Sequence, residues 1–277
     1  MDLQTGSGRF VPACMQGYDI MNMKKRNIMV LCLIGMLLPS SNMAQDDGKI
    51  QKLFQDAIQA LGGETYLKVT DMVSEGNYFA FNREGDHSGL IKYNDYTKLP
   101  DKSRFELGNR KKERDITVFD LEKSEGWILE GQKETRAATP DEMKEFRNAV
   151  KHSIDNILRT RWKDPDNKLF YLGPGEGAEV RLEMVRLLDP ENDEVTIYFD
   201  RISKLPAKVE YRSVDRRGVH LRHVQEFTQW HDIQGVNTPL RVDEFVNARQ
   251  SAQMFIVKIT YNNNLSDSVF SKPEPPK

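Results

Sequence analysis

The five histidines, His87, His152, His220, His223 and His231, are the side chains of this sequence best suited to hold a metal or relay a proton. They are scattered, and the closest pair, His220 and His223, is three residues apart within an alternating run. In a strand that spacing puts the two rings on opposite faces, so they do not share an ion. Carboxylates are more plentiful, with Glu183, Asp200, Glu210, Glu226, Asp243 and Glu244 in strand-like stretches. Two of them facing across a cleft would serve glycoside hydrolysis, whereas on alternating strands they are solvated surface. The sequence holds no HExxH, GxSxG, phosphate-loop or GxGxxG motif. The glycine-rich stretch at 172–177 contains Pro174, which lacks an amide donor, and no lysine follows, so it reads as a loop. No cofactor and no metal are expected.

Aromatic residues form the other set with binding potential. Phe79, Phe81, Phe119, Trp127, Tyr198, Phe227 and Phe255 fall in strand-like runs, and Phe146 in a helical one. On a curved sheet they either fill an ordinary core or line an apolar ligand cavity. These are the candidate binding residues.

The elements that must position them follow from periodicity. Ile50, Leu53, Phe54, Ala57, Ile58 and Leu61 recur at steps of three and four, giving an amphipathic helix over 50–61 that Gly62-Gly63 stops. From Val69 the period falls to two, with strands expected at 77–83, 89–96, 103–107, 115–121 and 126–130. Thr139-Pro140-Asp141-Glu142 then starts a second helix whose apolar face, Met143, Phe146, Val150, Ile154, Ile157 and Leu158, runs to Trp162. That helix either packs on the sheet or lies as a lid over an opening. Strands resume at 168–172, 179–188, 194–200, 206–214, 218–229, 239–248 and 252–261. So many short strands in one domain need two packed sheets or a curved, nearly closed barrel. Residues 45–270 read as one β-rich domain, and the polar, proline-rich 271–277 as a disordered tail.

The N-terminus reads as an export signal. Lys24, Lys25 and Arg26 precede an apolar run over 28–38, too short for a bilayer of about 30 Å, and small and polar residues lead to a cleavage site after Ala44. Residues 1–20 are explained by a start at Met21 or Met23. Cys32 lies inside the apolar run rather than after it, which argues against lipidation. Both cysteines, Cys14 and Cys32, precede the cleavage site, so the mature chain has none and carries no transmembrane segment. Its formal charge of about −4 and the absence of concentrated basic surface exclude a general nucleic-acid binder.

The late strands carry a family resemblance. The run VTIYFDRISKLPAKVE at 195–210, GVNTP at 235–239, and KITYN at 258–262 with LSDSVF at 265–270 resemble the hairpin and closing strands of periplasmic lipoprotein carriers of the LolA/LolB type. The early ALGG at 60–63 fits as well, and the resemblance spans roughly 45–270. It implies an unclosed antiparallel β-barrel, mainly β, with a few helices covering the concave side and an apolar cavity that accepts acyl chains. The second helix would sit near its mouth. The leading expectation is a non-enzymatic periplasmic carrier or sensor for an acylated or hydrophobic ligand, with outer-membrane lipoprotein sorting as one role. A protein-binding envelope module on the same fold and a glycan hydrolase with paired carboxylates are the alternatives.

Overall fold

The computed structural model describes residues 41–215 and 218–275. The expected export signal falls mostly outside these residues. The chain forms one thirteen-stranded antiparallel sheet in two meandering wings. The first wing runs outward from β1 (Asp71–Ala80) through β2 (Ile91–Lys98), β3 (Lys102–Leu107), β4 (Asp115–Asp120) and β5 (Glu125–Leu129) to the two-residue β6 (Arg136–Ala137). The second runs inward from β7 (Lys168–Pro174) through β8 (Leu182–Leu188), β9 (Glu194–Asp200), β10 (Pro206–Val214), β11 (His220–Ile233) and β12 (Val236–Val246) to β13 (Arg249–Tyr261). Antiparallel pairing of β1 with β13, Tyr78 opposite Met254, joins the wings, while β6 and β7 remain unpaired edges. The sheet is therefore unclosed, as expected.

Among the described residues four helices accompany it: α1 (Ser41–Leu61), α2 (Glu64–Leu67), α3 (Pro140–His152) and α4 (Ile154–Arg159). The helix expected over 50–61 begins a further two turns or more upstream. The single helix expected from Thr139 to Trp162 is broken, because Ser153 leaves helical geometry and its side chain caps α4 by accepting from the Asn156 amide. Thr139 and Glu142 close a capping box at the start of α3.

One face of the sheet holds the main core. Ile50, Phe54, Ala57 and Leu61 of α1 and Ile157 and Leu158 of α4 pack on Val185, Leu187, Val195, Ile197, Phe199 and Val209 of the second wing. Phe54 is fully enclosed, stacked on Trp162 with centroids 4.9 Å apart and meeting Phe199 edge-on at 5.3 Å. Residues paired across neighbouring strands share a face, so these contacts fix which alternate residues of every strand look toward the helices.

The opposite, convex face of the first wing is covered by the chain's end. Phe270 is buried there, Arg104 donates to the Val269 carbonyl, and Lys272 lies over the Trp127 ring. The segment expected to be a disordered tail is packed as far as Pro273, which is buried and accepts from the Thr135 hydroxyl. Among the described residues no helix is long and apolar enough to cross a membrane.

Candidate functional site

The helices cover the concave face unevenly. At one end of α3, Met143 packs on the first wing near Gly126, and Phe146 stacks on Phe119 of β4 with centroids 4.4 Å apart. At its other end His152 lies flat on Tyr211 of β10 at 4.0 Å, and Tyr211 in turn lies on His223 of β11 at 4.8 Å. His152 also meets Asp193 at 2.8 Å, and Lys151 reaches Asp189 at 2.6 Å. Thus α3 crosses from one wing to the other as a strap pinned at both ends.

Between those anchors the central strands present a floor that is half-buried except at Tyr93, which is buried. Register puts Tyr78 of β1, Tyr93 of β2, Phe105 and Leu107 of β3, and Val242 and Met254 of β12 and β13 on the helix-facing side. Tyr93 packs over Gly76, where an added Cβ would come within 2.9 Å of its ring, and stacks on Phe105 at 5.6 Å. Glycine is needed there to let the ring lie against the backbone.

Two carboxyls sit deep in this floor while keeping some solvent-accessible surface. Asp95, paired with Ser74 and two residues from Tyr93, receives only the Thr97 hydroxyl, at 3.3 Å. Burial pushes its carboxyl up to about 6, against a small opposing pull from Thr97. Glu244 accepts from Gln225 at 3.0 Å and is likewise raised by burial. Tyr78 and Tyr211 are both pushed up to about 12, first by burial and then by the charge of Glu244. Among the described residues no lysine, arginine or histidine pairs with Asp95 or Glu244. Elsewhere Glu183, Glu210, Asp189 and Asp243 each have a cation within bonding distance, from Lys49, Arg222, Lys151 and Arg241.

The structure divides the aromatic candidates between the two faces. Phe119, Phe146 and Phe227 lie on the helix-covered side, where Phe227 is buried in the main core. Phe79, Phe81 and Phe255 form a separate cluster with His87 on the convex side. Trp127 lies under the C-terminal segment, and Tyr198 under Lys208 beside Glu210, both also convex. Alternation gives the period but not the phase, so it does not tell Tyr78 and Met254 from their neighbours Phe79 and Phe255. Asp95 carries one usable signal, an acid that shares a strand face with Tyr93 and Thr97 on either side of it.

The expected acyl chamber is not a single hollow. Where α1 and α4 pack, the concave face is solid with side chains that are almost wholly buried. A cleft of about 310 Å³ lies instead at the hairpin tips, between Phe81–Gly85 and Arg249-Gln250, and a crevice of about 40 Å³ lies between Leu99-Pro100 and α4. The remaining carboxylates considered for catalysis do not form a facing pair in a cleft. Glu210, Glu226 and Asp243 are convex, and Glu183 is bound by Lys49 and Tyr171. As expected, His220 and His223 occupy opposite faces, since only His223 joins the concave stack.

Comparison with solved structures decides the architecture. A DUF1329 family protein from Desulfovibrio piger aligns with a TM-score of 0.55 at 12% identity, over 80% of this chain and 97% of that one. A LolA superfamily protein from Nitrosomonas europaea aligns with a TM-score of 0.51 at 11% identity, again over 80% and 97%. The fold is LolA-like. An outer membrane lipoprotein-sorting protein domain from Vibrio parahaemolyticus also aligns, at 11% identity over 79% of this chain and 96% of that one, with a TM-score of 0.49. No family model and no curated protein matches the sequence. At such identities the likeness is one of fold, and the LolA-like sheet carries its own side chains at the site. The strap α3, the floor of Tyr78, Tyr93, Phe105 and Met254, and the two unpaired carboxyls are properties of this chain.

Proposed function

We propose that this protein is an exported, non-catalytic binding protein that holds a hydrophobic or acylated ligand on its concave face, beneath α3. The observation that carries the reading is the half-buried aromatic and aliphatic floor of the central strands, spanned by a helix pinned at its two ends. An apolar chain laid on that floor removes further apolar surface from water, at about 0.8 kcal/mol per methylene. Helix α3 is suited to yield, because Met143 and His152 are its only buried residues and it is separated from α4 by the break at Ser153. The LolA-like fold, the basic and apolar leader, and cysteines confined to residues 14 and 32 all agree with export. Carriage of lipoproteins between envelope layers is one role that such a site would serve.

The test is mass spectrometry of organic extracts from the protein, purified without detergent from an exporting host, together with titration by a dansyl-labelled fatty acid. A stoichiometric acylated molecule, or saturable probe binding weakened by Tyr78→Ala or Met254→Ala, supports the reading. An empty protein that leaves the probe in solution rules it out.

A further inference from the structure

The floor beneath α3 is not uniformly apolar, and its polar point has a defined chemistry. Asp95 lies on the concave face of β2, opposite Ser74 of β1 and Phe105 of β3. Tyr93 is only 2% exposed, and its hydroxyl is buried without a hydrogen-bond partner. Thr97 completes the setting, and among the described residues its hydroxyl is the single polar side chain that reaches the Asp95 carboxyl, at 3.3 and 3.4 Å. An anion set deep in protein normally has a cation or several amides beside it, because an uncompensated charge there is costly. The buried Asp71 follows that rule, accepting from the amides of Asn263 and Leu265. Asp189 follows it through Lys151. Asp95 does not, although it is only partly buried.

We infer that Asp95 is the anchor for a cationic head group, and that the ligand is an amphiphile bearing an aliphatic amine. Phe105 stands opposite Asp95 on the neighbouring strand, beside the position such an ammonium would take. The alkyl chain then runs toward Tyr78 and Met254, about 20 Å of strand separating the Ser74 row from the Ala80 row at roughly 3.3 Å per residue. A neutral head gains at most a hydrogen bond from the carboxylate, without the charge attraction of an ammonium, and a fatty acid brings a second anion to it. This inference rests on the binding reading above and narrows it to one ligand chemistry.

Dodecylamine and dodecanoate, matched in chain length, separate the two claims. The full chain, free of detergent, is loaded with a dansyl-labelled fatty acid, and each compound is titrated against it at about pH 7.5, where Asp95 is ionised. The amine is expected to displace the probe at a concentration about tenfold lower than the acid. Asp95→Asn is expected to bring the two within about twofold of each other, while Glu244→Gln keeps the preference. Circular dichroism of both variants checks that the sheet is intact, and Thr97→Val, which leaves the carboxylate in place, is expected to retain the amine preference. Equal displacement by the two compounds, or tighter binding of dodecanoate, overturns the cationic head group and leaves the apolar site standing. If neither compound displaces the probe and the probe itself does not bind, both claims fail together.

Discussion

The ring of Phe146 on α3 lies on that of Phe119 on β4 with centroids 4.4 Å apart and an angle of 12° between their planes. With Met143 it makes the attachment of the strap to the first wing, at the end opposite the His152–Tyr211 stack. Phe146 is half-buried, so Phe146→Ala is expected to cost about 1–2 kcal/mol of global stability, less than a fully buried ring. Its larger effect is local. Amide exchange over Pro140–His152 should accelerate more than exchange in β9, and probe should dissociate faster. Unchanged exchange in α3 would mean that the helix is held by other contacts.

The core under α1 gives a contrasting case. Phe54 is fully buried, stacked on Trp162 and edge-on to Phe199. Phe54→Ala leaves a cavity that three elements cannot close, with an expected loss of about 3–5 kcal/mol. Chemical denaturation measures it, and a loss below about 1 kcal/mol would show that the region repacks.

Gly76 tests the seat of Tyr93. A Cβ there would lie 2.0 Å from the Phe255 carbonyl oxygen and 2.9 Å from the tyrosine ring. Because the closer atom is backbone in the paired strand, relief requires a shift of β1 against β13. Gly76→Ala is expected to destabilise by about 1–3 kcal/mol and to weaken ligand binding with it. A melting temperature equal to the parent's would contradict this placement.

Asp95 makes stability depend on pH with a definite sign. Its carboxyl is raised from 3.8 to about 6 in the folded protein, so the folded state holds its proton more tightly than the unfolded chain. The contribution of this group is therefore greatest below about pH 4 and is lost as pH rises through about 6. Above that pH Asp95→Asn removes the penalty of a buried charge, and the variant should be more stable than the parent by up to about 3 kcal/mol. The gap should close toward about pH 4. Denaturant midpoints of both proteins across that range check it, and a gap independent of pH would assign the effect to something other than this carboxyl.

The covered convex face supplies the last test. Phe270 is 4% exposed and belongs to the C-terminal segment that also lies over Trp127. Phe270→Ala is expected to cost about 3 kcal/mol and to raise the exposure of Trp127, read from its emission maximum. A stable variant with unshifted emission would show that the segment is held without that ring.

Local pattern determined much of this protein. Alternation at 194–200 and 206–214 marks strands whose ends coincide with β9 and β10, because each is bounded by turn residues that cannot continue a ladder. The Thr139-Pro140 start of α3 is equally legible, since a cap acts on the amides next to it in the chain. Successive hairpins too short for crossovers required an antiparallel meander. The split at Ser153 is less accessible, because an apolar helical face runs on through Ile154 and Leu158, and the packing of α4 through Arg159 on Tyr66 decides where the axis bends.

Tertiary structure alone decided the phase of the sheet. Period two gives each strand two equivalent faces, and both faces of β1 carry aromatic side chains, Tyr78 on one and Phe79 on the other. Which of them looks inward depends on where α1, α3 and the C-terminal segment settle, and these contacts join residues far apart in the chain. The same holds for Asp95, whose lack of a cation emerges only when every neighbouring strand and helix has taken its place.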